Sequence, residues 1–475
     1  MESAPNHADQ IVGRALEAGR QLARLDQEQT DRIARAVFEA TFRARIDLAR
    51  LAYEETGIGV FEHKVIKNAW ASLLVYEDIR DRRTVGVISR DQGTGVTEIA
   101  QPKGPILGTI PVTNPTSTAI FKALICMKTR NPLIMSPHRG ARKCIKETAR
   151  IVAEAAVKAG APEHAIQLFT KPTTEELGEL MRHRKLALIL ATGTGSVVRL
   201  AQASGTPTLG VGPGNVPVYV HSSADFERAA RTIVHSKTFD NGTVCASEQA
   251  LVIEESERPR ITPLLESRGA YFCSRDEMRA LGAVCFDAER QTMSTFIVGQ
   301  PAPVIAEKAG FPVPPGTRLL VAEPEGIGRD HPLSYEILAP VLALYSVDDY
   351  AAALTTCRAL NEHGGIGHTV GVFTRDGRVV SDFAQMNAAR ILVNQPCTEG
   401  AIGGIFNTLR PSLTLSCGTG AGNFNTDNIT IDHLLNIHRV ARLRTNTRWL
   451  DMSREIWLDP QIGPEEIRER YGVEE

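Results

Sequence analysis

The sequence predicts an α/β protein built on parallel sheets. Short apolar runs alternate with amphipathic helical stretches over more than a hundred residues, the pattern of strand–helix–strand units. Runs such as GPILGTIPV (Gly104–Val112) and LALIL (Leu186–Leu190) are apolar throughout, as strands covered on both faces require. At 475 residues the chain exceeds what one core ordinarily organises, so two or three domains are expected.

The chain opens with helices over about Asp9–Glu55, where Ile11, Ala15, Leu16 and Ala23 recur at helical spacing between Arg, Glu and Gln. Gly57 and Gly59 break that pattern, and a second helical stretch runs to Asp81. Val85, Val87, Val96 and Ile99 then suggest two strands about a turn at Gln92–Gly95. The strand Gly104–Val112 leads into a helix from Pro115 to Lys128, and Asn131–Ser136 is the next strand. A helix over Arg139–Lys158 stops at Gly160-Ala161-Pro162. Ile166–Phe169 follows as a strand, and Thr173 and Thr174 before two glutamates start another helix. Leu186–Leu190 enters the loop Ala191–Ser196, a helix covers Val197–Ala203, and Thr208–Val211 returns to strand. A second α/β region spans about Phe239–Thr414. Its strands are Gln249–Ile253, Arg318–Val321, Val341–Tyr345, Val370–Phe373 and Arg390–Val393, with helices about Asp348–Asn361 and Val380–Asn387. The tail after Arg444, with Trp449 and Trp457, reads as an appendage docked on a neighbour.

Lys+Arg number 53 against Asp+Glu 55, so there is no global field to draw nucleic acid or an anionic membrane. No apolar run approaches the ~20 residues needed to span a bilayer, and no signal peptide is evident. The 8 cysteines are scattered, without zinc-type spacing. No metal site is expected, and a reducing cytoplasm is the simplest setting.

Parallel sheets bind ligands beyond the carboxyl ends of their strands. Two loops there run from a strand into a helix, Thr113-Asn114-Pro115-Thr116-Ser117 and Thr192-Gly193-Thr194-Gly195-Ser196. Free N–H groups at such turns favour phosphate, although each also reads as an ordinary strand-to-helix turn. The chemistry points to Cys245 in FDNGTVCASEQ (Phe239–Gln249), a cysteine among small polar residues behind an Asn-Gly turn pair. Taken alone it reads first as a small buried hydrophobe.

With these motifs together, the chain resembles the CoA-acylating branch of the aldehyde dehydrogenase superfamily. The stretches that carry the resemblance are Ile110–His138, Leu188–Val198, FDNGTVCASEQ, GGIGHT (Gly364–Thr369) and RPSLTLSCGTGAGN (Arg410–Asn423), in the family's order. The resemblance implies an NAD(P)-binding, Rossmann-like unit over 1–235, a catalytic cysteine unit over 236–415, and an oligomerisation segment with the tail over 416–475. Strands near 85–100 and 420–440 would extend a sheet into a partner, giving a homodimer or homotetramer.

It further implies that Cys245 attacks the aldehyde carbon and carries the acyl group as a thioester. Asn114 would donate its side-chain amide to the developing oxyanion; a helix cap beside Pro115 is its other reading. Glu336 in LSYEILAP would hold the nicotinamide ribose, and Thr113, Ser136, Gly193 and Thr194 would surround the cofactor. Ser136 stands where many hydrolytic relatives carry a lysine, which leaves NAD and NADP both open. Hydrolytic relatives have a water-activating glutamate where this chain reads LGVGPGNVP (Leu209–Pro217). Coenzyme A is therefore the expected acyl acceptor. His368 in GIGHT is placed to move a proton, or to pack. Arg410, before the proline of a segment resembling an aldehyde-pocket wall, suggests an anionic short aldehyde, sulfoacetaldehyde first and succinic semialdehyde second. Its alternative is an arginine paired with an acid at a surface or subunit contact. Acetaldehyde or propionaldehyde, a hydrolytic enzyme, and a non-catalytic scaffold retaining the fold are the rival readings. The lack of an extended leader favours free cytoplasm over an encapsulated enzyme.

Overall fold

The alternating pattern folds into two all-parallel sheets, a three-stranded antiparallel sheet and a two-stranded ribbon. The computed structural model describes the chain except residues 1–5, 171, 288, 290–291, 444–452 and 472–475. The first sheet has the spatial order Ile166–Leu168, Leu133–Pro137, Ile106–Ile110, Leu188–Ala191, Thr208–Gly210. Ile106 lies opposite both Leu133 and Leu188. The two-residue period of a strand sends side chains to opposite faces. Leu107, Ile134 and Ile189 pack with Ile11, Leu180 and Val198. Ile106, Leu133 and Leu188 pack with Ile33, Phe121 and Val152 on the other side.

Every residue of the helix Pro115–Lys128 is buried, including two lysines. Lys122 Nζ donates to the carbonyls of Thr109 at 2.7 Å and Leu190 at 2.8 Å, and to Thr192 Oγ1 at 3.1 Å. It thereby ties together the ends of two central strands, where both candidate loops begin. Burial brings its ammonium down to about 7.

The second sheet runs Ala270–Phe272, Leu319–Ala322, Val341–Val347, Glu248–Glu254, Val216–Val220, Gly367–Phe373, Ala388–Val393. Pairing passes from one sheet to the other across the glycine- and proline-rich segment between Gly210 and Val216. The strand Val216–Val220, within the 1–235 unit of the sequence division, thus pairs with Glu248–Glu254 and Gly367–Phe373. That strand and the helices Phe226–Thr238, Arg258–Glu266, Arg275–Cys285 and Ala302–Ala309 are additions to the sequence-based list.

Gly86–Asp91 and Val96–Pro102 form a hairpin about the expected turn, and Leu435–Ala441 pairs along Val96–Pro102 in the same small sheet. Trp449 lies outside the described residues; the helices Arg454–Leu458 and Pro464–Tyr471 follow. Among the described residues, no helix is long and apolar enough to cross a membrane.

Candidate active site

The loop before Cys245 is held in a conformation that the chain would not choose unaided. Asp240 (φ 48°), Asn241 (φ 52°) and Gly242 (φ 70°) are successive left-handed residues. For non-glycine residues such backbone costs about 1–3 kcal/mol each and persists only where surroundings enforce it. The enforcing element is the helical stretch Phe61–Ile79, which contains a π-helical turn at Trp70–Leu74. Its His63 and Trp70 rings stack on Phe239, with centroids at 4.6 and 5.0 Å. His63 Nδ1 accepts from the Asp240 N–H at 2.8 Å. The buried Asp240 carboxylate accepts from Val60 N at 2.7 Å, from Thr243 Oγ1 at 2.6 Å, and from the ammonium groups of Lys64 and Lys67. Burial opposes this charge, yet Lys67 and Lys64 hold the Asp240 carboxyl below its usual range. Gly59 (φ +80°) is needed here, since a Cβ would sit 2.2 Å from Asp240 Oδ1.

Cys245 follows in a turn leading into the strand Glu248–Glu254. Its Sγ lies 3.2 Å from His368 Nε2, at the start of the strand Gly367–Phe373, with Val216–Val220 between the two strands. His368 Nδ1 meets Thr369 Oγ1 at 2.9 Å. Thr369 Oγ1 also accepts from Arg390 Nε at 3.2 Å. Arginine only donates, so the threonine oxygen can also accept from a protonated Nδ1, and in that tautomer Nε2 accepts the thiol proton. Burial and the nearby Arg390 push the imidazole well below 6.5, so it is neutral at pH 7. Burial, then the Glu336 carboxylate, push the Cys245 thiol far above its usual range, against the pull of Arg390. The resting site is therefore a neutral thiol on a neutral imidazole, poised for proton transfer during attack.

The segment LGVGPGNVP packs directly on this pair. At Gly214 a Cβ would lie 1.9 Å from the Cys245 carbonyl oxygen and 3.3 Å from His368 Cδ2. Gly214 N donates to Glu336 Oε1 at 2.8 Å, and burial lifts that carboxyl to about 7. Glu336 thus stands beside the thiol.

Asn114 starts the helix Pro115–Lys128 but makes no side-chain capping bond, so the cap reading is set aside. Its Nδ2 donates to Thr113 Oγ1 at 3.1 Å and to the Thr243 carbonyl at 3.3 Å, and its Oδ1 accepts from Lys67 Nζ. Its amide therefore lies against the Cys245 loop. Ser136, Gly193 and Thr194 lie along the carboxyl edge of the first sheet, at or just beyond the strands Leu133–Pro137 and Leu188–Ala191. Thr194 precedes the helix Gly195–Gln202 without a side-chain cap, and Gly193 and Thr194 are exposed. The backbone N–H groups there suit a phosphate.

Arg410 does not join this constellation. Its Nε donates to Asp78 Oδ1 at 3.1 Å, its Nη2 to Asp78 Oδ2 at 2.7 Å, and its Nη1 to Asp432. Two carboxylates engage the guanidinium, which is the acid-paired alternative that the sequence also offered for Arg410. Lys67, Asp240 and Arg390, which belong to the site, were missed. Asp240 lay inside the quoted motif, and its neighbour pair Asn-Gly was the only signal. Among the described residues, no group of three or more His, Cys, Asp or Glu side chains is placed to hold a metal ion.

A profile of the aldehyde dehydrogenase family matches residues 1–407. The chain is 42% identical over 464 residues to an aldehyde-alcohol dehydrogenase of Streptococcus pneumoniae serotype 4, covering 96% of this chain and 52% of that protein. It therefore spans about half the length of such relatives. It is 36% identical to a sulfoacetaldehyde dehydrogenase (acylating) of Cupriavidus necator, covering 91% of this chain and 88% of the relative. The solved structure of an acetylating aldehyde dehydrogenase from Geobacillus thermoglucosidasius superposes with a TM-score of 0.89 at 44% identity, covering 92% of this chain and 96% of that one.

Proposed function

The chain belongs to the aldehyde dehydrogenase family, and from that premise we propose that it oxidises a short aldehyde on Cys245 and hands the acyl group to coenzyme A. The observation that carries this reading is the neutral Cys245–His368 contact at 3.2 Å with glycine-rich LGVGPGNVP packed over it. As Sγ attacks the carbonyl carbon, His368 Nε2 takes the thiol proton. The oxygen, gaining negative charge, faces the Asn114 amide and the Cys245 backbone N–H. Thr113, Ser136, Gly193, Thr194 and Glu336 would hold a nicotinamide cofactor, NAD or NADP, which when bound would accept the hydride and so leave the acyl group on Cys245 as a thioester. The packed segment supplies no carboxylate to activate water, so the thiolate of coenzyme A displaces Cys245 and forms the new thioester bond.

With Arg410 neutralised by Asp78 and Asp432, we read the substrate as a short uncharged aldehyde such as acetaldehyde. An anionic aldehyde is the second reading, favoured by the likeness to a relative named for sulfoacetaldehyde. The three-stranded sheet is the element we assign to a homodimer or homotetramer. All eight cysteines are free, which suits a reducing cytoplasm.

The test is nucleotide reduction with acetaldehyde, sulfoacetaldehyde and succinic semialdehyde, with and without coenzyme A. The reading expects acyl-CoA, strict coenzyme A dependence of turnover, and the highest kcat/KM for acetaldehyde. Full-rate release of free acid without coenzyme A contradicts the acylating reading, and a higher kcat/KM for sulfoacetaldehyde selects the anionic one.

A further inference from the structure

We propose that Lys67 is a positioning residue for the oxyanion site, fixing and polarising the Asn114 amide so that its N–H meets the substrate oxygen. The proposal rests on the cysteine reading above and adds a residue to it. An asparagine side chain is nearly symmetric in shape, and its neighbours decide which end is oxygen. Lys67 Nζ offers only hydrogens, so the end of Asn114 that it touches must be Oδ1. The Nδ2 end then turns to Thr113 Oγ1 at 3.1 Å and the Thr243 carbonyl at 3.3 Å, toward the cysteine loop, and the substrate oxygen would take over one of these two hydrogens, the longer contact giving way.

Lys67 is itself fixed from the loop side. Its ammonium sits on Asp240 and lies 3.4 Å from Thr243 Oγ1. One buried side chain, only 1% exposed, therefore touches both halves of the site: Asn114 on the first sheet and the Asp240–Thr243 loop that presents Cys245. Its helix places His63, Lys64, Lys67 and Trp70 against that loop, as the stacking and hydrogen bonds above record. Around Asp240 two ammonium groups share one carboxylate. Burial lowers Lys67 to about 8, and it stays charged at neutral pH. A cation on Oδ1 draws electron density from the amide and strengthens Nδ2–H as a donor. Such fixed polarity, aimed where charge develops, is what an oxyanion site requires.

Lys67→Met leaves Lys64 and Asp240 as a balanced pair, which protects the fold. We expect kcat to fall about 10- to 100-fold, as partial loss of one oxyanion donor would cause, with the aldehyde KM within about threefold. Lys67→Gln, which keeps a neutral donor to Oδ1, lies between Lys67→Met and wild type, and it carries the same comparisons if Lys67→Met does not fold. The Lys67→Met/Asn114→Ala double variant is no more than about twofold slower than Asn114→Ala, because both changes remove one device. Alkylation of Cys245 by iodoacetamide, which needs no oxyanion donor, stays within about twofold of wild type. Multiplying losses in the double variant, an unchanged kcat in Lys67→Met, or a parallel loss of alkylation overturns the proposal. Mass spectrometry of the wild type separates the two levels. With an acyl adduct on Cys245 present, those failures remove only the role of Lys67; without it, the cysteine reading falls and the proposal with it.

Discussion

Two arginines in the second half of the chain meet opposite fates. Arg390 is 4% exposed, and its four described partners are neutral: Thr369 Oγ1, Asn428 Oδ1, and the carbonyls of His368 and Ser416. Arg410 is half-buried and spends its charge on Asp78 and Asp432. One guanidinium projects its field onto the cysteine and histidine; the other braces the helix Val75–Ile79 against the segment before Leu435–Ala441. A positive residue influences chemistry through the charge left after its partners are counted, and that remainder sits at Arg390.

The largest test removes it. Arg390→Met is expected to lower kcat/KM about 100-fold and to lower Tm, because four buried acceptors lose their donor. Arg390→Lys keeps the charge without the planar fork and should recover part of the activity in steady-state assays. Unchanged kinetics in Arg390→Met would erase the contrast between the two arginines.

The next test reads sign rather than size. Burial and Arg390 hold His368 well below 6.5, so its neutral, proton-accepting form dominates at and above that pH. Activity that depends on it is lost only as pH falls through that depressed value. Removing Arg390 raises the histidine, and the acid limb of kcat/KM moves up toward 6.5. Glu336, lifted to about 7, is present in both proteins and the Cys245 thiol shifts on the alkaline side, so the difference between the acid limbs isolates His368.

A smaller effect is expected at Glu336, whose charge opposes the Cys245 thiolate. Glu336→Gln should speed iodoacetamide alkylation of Cys245 at pH 8 about three- to tenfold, following the lowered thiol pKa, while aldehyde turnover falls with the cofactor contact. The smallest effect belongs to Arg410→Ala. The ratio of kcat/KM for sulfoacetaldehyde to that for acetaldehyde should change less than about twofold, with a stability loss of about 1–3 kcal/mol from its charge-assisted bonds in denaturant titration. A collapse of sulfoacetaldehyde turnover alone would reinstate Arg410 as a substrate ligand.

These contrasts also mark what the sequence could carry. Cys245, Asn114 and His368 stood in short local motifs, and the structure brings the histidine to the sulfur and the amide to the cysteine loop. The first sheet was legible because its strands are continuous apolar runs, buried on both faces. The strand Val216–Val220 was not, since the glycines and prolines before it hide where one sheet ends and the next begins. For Arg410 the sequence offered an acid partner without naming it, because Asp78 is remote in sequence and adjacent in space. Lys67 escaped for the same reason in reverse. On its own helix it reads as a polar surface residue, and only the folded chain sets it between Asp240 and Asn114.

The most direct test of the account is a chase of the acyl group. The protein is incubated with acetaldehyde and oxidised nucleotide without coenzyme A, quenched in acid and mapped by peptide mass spectrometry. The account predicts an acetyl adduct of Cys245 that disappears on adding coenzyme A while acetyl-CoA rises in equal amount. A label on another residue, or free acetate formed at the full rate while Cys245 stays unmodified, would contradict it.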